Sequence, residues 1–234
     1  MDAVSARYAI YYAPDQKSPW WGFGSSWLGR DRARDPSLSR PRVCGLDEEG
    51  MDAITAQPRR YGFHATLKAP FRLRQGVTVD DLLARLRTFA ATRRAVALGP
   101  LAPICLDGFV ALVPMTEDPR LRELATACVT ELDDLRAPPT PAEQDRRRID
   151  PADGRAVELF ERYGYPLVLE RFRFHMTLTG PVDDALARQI VEQLAPAIAR
   201  LNAQQPAVLD RLCLFVETPA GAAFSRVADM RLAS

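Results

Sequence analysis

The 234-residue chain holds only two histidines, His64 and His175, and each is the second residue of a similar octet. Residues 63–70 read FHATLKAP and residues 174–181 read FHMTLTGP, sharing the pattern F-H-x-T-L-x-x-P. At ordinary residue frequencies, agreement at the four positions other than His arises by accident roughly once in ten thousand trials. Folding alone explains a repeated Phe and Leu, because both are core residues. It does not explain His and Thr kept two positions apart. In a strand, alternate residues share a face. His64, Thr66 and Lys68 then line one side of the first copy, with Phe63, Ala65 and Leu67 behind. His175, Thr177 and Thr179 line the second copy, with Phe174, Met176 and Leu178 behind and Arg173 upstream on the polar face.

Imidazole exchanges protons near neutral pH. If the copies face each other, two rings flank one small space, one able to take a proton and the other to give one, as in-line displacement at phosphorus requires. Thr66 and Thr177 can donate hydrogen bonds to non-bridging oxygens, and Lys68 can balance developing charge. The unequal cations, Lys68 against Thr179 and Arg173 against Gly62, suit a substrate with a second phosphate at one end. Tyr11 and Tyr12 alternate on the first predicted strand, so one of them can reach the site. No metal or other cofactor is called for.

Several elements must position these groups. Residues 7–13 read as a strand, 14–50 as a long irregular stretch containing WWGFGSSWLGRD, and 51–57 as a short helical turn. The stretch either covers the cleft or packs Trp20, Trp21 and Trp27 as a satellite core; packing is the expectation. Apolar spacing predicts helices over 79–94, over DPRLRELATACVTELDDLR and over about 183–203. AVAL, FVALVP, LDRLCLFVETP and AAFSRVADMRL read as strands, and DRRRIDPADGRAVELFERYG as partly helical. The unit of octet strand, helix and strand pair therefore occurs twice, within one domain over 1–234 whose lobes connect near 137–144.

The pair His64-Ala65-Thr66-Leu67 and His175-Met176-Thr177-Leu178 resembles the signature of the 2H phosphoesterase superfamily. More narrowly, RYGFHATLKAPF, FRFHMTLTGP, YGYP and WGFGSSWLGRD resemble uncharacterised proteins encoded in bacterial phosphonate-utilisation operons. The resemblance implies a bilobal α+β fold with pseudo-twofold symmetry, antiparallel sheets lining a central cleft and helices outside. It also implies hydrolysis of a cyclic or linear phosphodiester. The narrower likeness suggests a small sugar phosphate such as 5-phosphoribosyl 1,2-cyclic phosphate.

The leading expectation is thus a metal-independent cyclic phosphodiesterase, a hydrolase acting on a small phosphorylated sugar or nucleotide. The alternatives are a 2′,3′-cyclic phosphodiesterase of RNA or nucleotides, and a non-catalytic nucleotide- or RNA-binding module. A net charge of +1 gives no global field for nucleic acid. The basic run Arg146-Arg147-Arg148 reads as solvated surface. The four cysteines lack ligand spacing and read as buried free thiols. With no signal-like start and no run of eighteen apolar residues, a cytoplasmic location is expected.

Overall fold

A computed structural model describes residues 6–30, 40–141, 143–144 and 149–233. The elements run β1 (Arg7–Tyr12), α1 (Pro19–Leu28), α2 (Glu48–Tyr61), β2 (Ala65–Phe71), α3 (Val79–Ala91), β3 (Val96–Gly99), β4 (Leu101–Leu106) and β5 (Phe109–Pro114). They continue as α4 (Pro119–Thr130), α5 (Gly154–Tyr163), β6 (Met176–Thr177), α6 (Asp184–Gln204), β7 (Ala207–Leu209), β8 (Arg211–Glu217) and β9 (Ser225–Arg231). The class is α+β, as expected. Antiparallel sheets have the orders β2-β1-β8-β9, β4-β5-β6 and β3-β7. Helix α3 packs on β8 and β9, α4 on β2, and α6 on β4 and β5.

The four- and three-stranded sheets each end in an octet. β2 is one edge of the first, β6 is one edge of the second, and the two edges lie against each other. After each edge strand comes a helix, α3 or α6, so the repeated order seen in the sequence recurs in the fold. One apolar cluster includes Ile10 and Leu214 of the first sheet and Val110, Leu112 and Met176 of the second, with Leu86 of α3 and Ile190 of α6. The run Arg146–Arg148 lies outside the described residues.

The irregular stretch expected over 14–50 is corrected, because WWGFGSSWL is helix α1. Gly22, Gly24 and two serines depress helix propensity. The ends outweigh them: the Ser18 hydroxyl accepts from the Trp21 amide at 3.1 Å, Pro19 opens the first turn, and Gly29 closes the helix at φ +68. Gly24 permits close approach, since a Cβ there would lie 2.0 Å from the Phe63 ring. Trp20 and Trp27 are buried, so packing is their role. α2 is also longer than the predicted turn. It spans Glu48–Tyr61 behind an Asp47 cap and contains Pro58 in its last turn.

The second octet is strand only at Met176–Thr177. The amides of Leu178 and Thr179 both donate to the Val110 carbonyl, and the Gly180 amide donates to the Ile54 carbonyl of α2 at 2.6 Å. The chain therefore leaves the ladder after two residues. LAPICL, not assigned as a strand from sequence, is β4. The four thiols are not all buried: Cys128 and Cys213 are, whereas Cys44 and Cys105 are exposed. No helix of the described residues is long and apolar enough to cross a membrane.

Candidate functional site

Helix α2 delivers the first imidazole. Its last residue is Tyr61, and Gly62 at φ +85 turns the chain so that Phe63 enters the core and His64 faces the cleft. The Gly62 carbonyl accepts from His64 Nδ1 at 2.9 Å, while Nε2 lies 3.2 Å from Thr66 Oγ1. A carbonyl only accepts, so the proton sits on Nδ1, and the Nε2 lone pair takes the Thr66 hydroxyl hydrogen. The Tyr11 ring stacks on the imidazole with centroids 3.8 Å apart.

The second imidazole is held the same way. His175 Nδ1 donates to the Arg173 carbonyl at 2.8 Å, again a carbonyl two residues back. The Phe109 ring lies 5.8 Å from it. Both histidines are half-buried. Loss of hydration is the main cause that pushes the His64 imidazole down to about 4; the nearby His175 also disfavours its charge. Burial lowers His175 below its ordinary range as well. Both rings are neutral at pH 7, each with Nε2 as the nitrogen left without a backbone partner.

A cavity of about 390 Å³ is lined by His64, Thr66, Thr177, Thr179 and Tyr11, together with Arg7, Gln57, Tyr61, Phe109 and Tyr165. A smaller space of about 180 Å³ is lined by His175, Arg173 and Asp107 and shares Thr66, Phe109 and Tyr165 with the first. Thr66 thus stands between the two imidazoles' chambers.

Two expected contributors, Lys68 and Thr179, are not presented to the cleft as alternation put them. Lys68 is buried, donating to Asp133 Oδ1 at 2.9 Å and to the Val129 carbonyl at 3.0 Å. The cause is a β-bulge. Tyr11 opposes Thr66 and Ile10 opposes Lys68, so Leu67 is an extra residue and the side of the strand changes after it. Tyr12 faces the main core beside Phe174, at 6.0 Å between centroids, which leaves Tyr11 as the member of the pair on the site. Thr179 touches the cavity wall, but it is fully buried and its hydroxyl accepts from the Val110 amide at 2.9 Å. Arg173 is exposed and ion-paired to Asp107 on the rim of the smaller chamber.

Sequence reasoning missed Arg7, Gln57, Tyr61, Phe109 and Tyr165. Tyr61 and Tyr165 belonged to quoted phrases, RYGF and YGYP, and an aromatic beside glycine was the available signal. Arg7 and Gln57 carried none. Among the described residues, no group of three or more His, Cys, Asp or Glu side chains is placed to hold a metal ion.

The family described as "Protein of unknown function (DUF1045)" matches residues 66–225, more than half of the chain. The chain belongs to this family. This DUF1045 chain is also 40% identical over 225 residues to a protein of Janthinobacterium sp. (strain Marseille) called ribose 1,5-bisphosphate phosphokinase PhnN, covering 93% of this chain and 49% of that protein. A protein of the same name from Laribacter hongkongensis (strain HLHK9) is 41% identical over 219 residues, covering 93% and 50%. The chain thus spans about half the length of the curated relatives it matches. Among solved structures, E. coli LigT complexed with NADP+ is 12% identical with a TM-score of 0.38, covering 98% of this chain and 99% of that one. Usb1 of Kluyveromyces marxianus is 12% identical with a TM-score of 0.37, covering 96% and 99%. Nothing about the activity of this chain rests on those two likenesses.

The expected cyclic phosphodiesterase, and with it the label of hydrolase, is overturned by the sequence relatives, which carry the name of a phosphokinase. The physical reason is general. The octets specify how two imidazoles and two hydroxyls are presented, and that presentation does not specify which bond to phosphorus is made or broken.

Proposed function

We propose that the two-histidine cleft of this DUF1045 chain is a binding site for a small phosphorylated ribose or nucleotide. One observation carries the reading. Both Nδ1–H groups are tied to carbonyls two residues back, so both Nε2 atoms are free of the backbone beside cavities that share Thr66. The name of the curated relatives supports a phosphorylated ribose as ligand. The resemblance to proteins of phosphonate-utilisation operons points to the same sugar phosphates.

A neutral Nε2 lone pair repels a phosphate oxygen, so each imidazole that touches the phosphate takes up a proton on binding. The anion returns part of what burial costs the imidazolium. Thr66 and Thr177 supply neutral donors, and Tyr11 and Phe109 shut water from the rings. Calorimetric titration with ribose 5-phosphate and with 5′-AMP tests this. Binding of either with proton uptake, weakened at least tenfold by His64→Ala or His175→Ala, is expected; heats unchanged by both variants would sink the reading.

A second reading is favoured by the 40–41% identity to proteins named as phosphokinases. In it the chain takes part in phosphoryl transfer, with a neutral Nε2 accepting the proton of a monoanionic acceptor phosphate as its oxygen attacks and ADP leaves. Incubation with ATP, Mg²⁺ and ribose 1,5-bisphosphate separates the two, since only the second predicts ADP release lost in His64→Ala and His175→Ala.

A further inference from the structure

We infer that Arg7 anchors a second anionic group of the ligand, away from the phosphate between the histidines, so that the cleft selects a bis-phosphorylated pentose over a monophosphate. The inference rests on the binding reading above.

Arg7 begins β1 and lines the larger chamber with Tyr11, Tyr61, Gln57 and His64. Its side chain is 20% exposed, and its Nε pairs with Glu217, a carboxylate with no exposed surface. Glu217 is also held by Arg60 and accepts from the Gly221 amide at 3.1 Å. Two guanidinium groups thus share one buried carboxylate, which leaves a local excess of one positive charge. Arg7 stands over the Phe224 ring at 5.8 Å, and Tyr61 stacks on the same phenylalanine with centroids 5.2 Å apart. Among the described residues the terminal nitrogens of Arg7 have no hydrogen-bond partner. An arginine fixed through Nε and through its flat face keeps its terminal N–H groups for a planar or tetrahedral oxyanion.

The other cations on the site do not fill this role. Lys68 is spent on Asp133 behind the sheet, and Arg173 is paired to Asp107 on the far chamber. Among the described residues that line the larger chamber, Arg7 is the one cation. Tyr11, Tyr61 and Tyr165 line the same cavity as Arg7 and Thr66, an aromatic wall suited to the face of a sugar ring.

Calorimetric titration with ribose 5-phosphate and ribose 1,5-bisphosphate tests the assignment, using wild type, Arg7→Met and Arg7→Lys. Wild type is expected to bind the bisphosphate at least tenfold tighter. Arg7→Met removes that preference by weakening the bisphosphate far more than the monophosphate, while Arg7→Lys, which keeps a charge for Glu217, retains part of it. Equal wild-type affinity for the two sugars overturns the anchor and leaves the binding reading standing. An equal loss on both sugars in Arg7→Met overturns it too, since a general field has no site. Failure of wild type to bind either sugar overturns both proposals. If Arg7→Met does not fold, the decision falls to Arg7→Lys, for which an unchanged preference counts against the anchor.

Discussion

At the residue scale, the two imidazoles offer an unusually direct measurement, because each gives one signal in a chain with only two histidines. A proton NMR titration is expected to show His64 ionising near pH 4 and His175 below its ordinary range. Tyr11→Leu removes the stacked ring at 3.8 Å and opens the pocket to water, so His64 moves up toward 6.5. An unmoved His64 signal in that variant would mean that Tyr11 does not control its hydration. The depressed value also links to stability. The unfolded chain binds a proton near 6.5 and the folded one near 4, so this contribution is complete above pH 6.5 and is lost as pH falls toward 4. The urea midpoint of wild type relative to His64→Gln should therefore be constant above pH 6.5 and fall as pH drops toward 4; parallel profiles would refute the shift. Of these residues, the sequence made His64, His175, Thr66 and Thr177 legible through the octet repeat. It could not separate Tyr11 from Tyr12, because alternation fixes relative faces and not which face meets the cleft.

At the element scale, the bulge in β2 decides what Lys68 does. A strict period of two puts Lys68 beside Thr66, and one extra residue, Leu67, turns it to Asp133 and the end of α4. Lys68→Met is expected to leave ligand affinity within twofold and to lower stability by about 1–3 kcal/mol, less than the roughly 3–5 kcal/mol lost when one partner of a fully buried pair is removed. Asp133 keeps Arg136 at 2.9 Å, which holds the loss to that range. A tenfold loss of affinity at unchanged stability would return Lys68 to the cleft. Helix α1 makes the complementary case. Trp27, fully buried, donates its Nε1–H to the Leu178 carbonyl inside the second octet at 2.8 Å. Trp27→Leu strands that carbonyl and opens a void, so we expect a loss of about 3 kcal/mol or more in chemical denaturation, with weaker ligand binding through the displaced octet. Helices α3 and α6 could be read from apolar spacing and from acidic or capping residues at their starts. α1 could not, because its glycines serve contact with Phe63, a partner 39 positions away that local propensity does not see.

At the scale of the whole molecule, the cleft exists because two sheets turn their edges to each other. β2 and β6 are both terminal strands, which elsewhere invite pairing with another chain; here each is set against the other, β2 also packs on α4, and the turn after β6 is tied to α2 through Gly180 and Ile54. The duplication of the octets announced two such units, but their mutual approach is a tertiary fact, encoded in contacts such as Gly180 to Ile54 and Trp27 to Leu178. It follows that ligand and fold are linked across both sheets. A ligand at one hundred times its dissociation constant adds about 2.7 kcal/mol to the stability of whatever unit it bridges. Since one apolar cluster joins both sheets, that gain belongs to both. Hydrogen exchange with saturating ribose 5-phosphate should therefore slow in residues 64–71 and 174–182 together, with smaller slowing in β1 and β5 behind them. Slowing confined to one octet would mean that the ligand meets a single imidazole, and the shared cleft would have to be abandoned along with the function built on it.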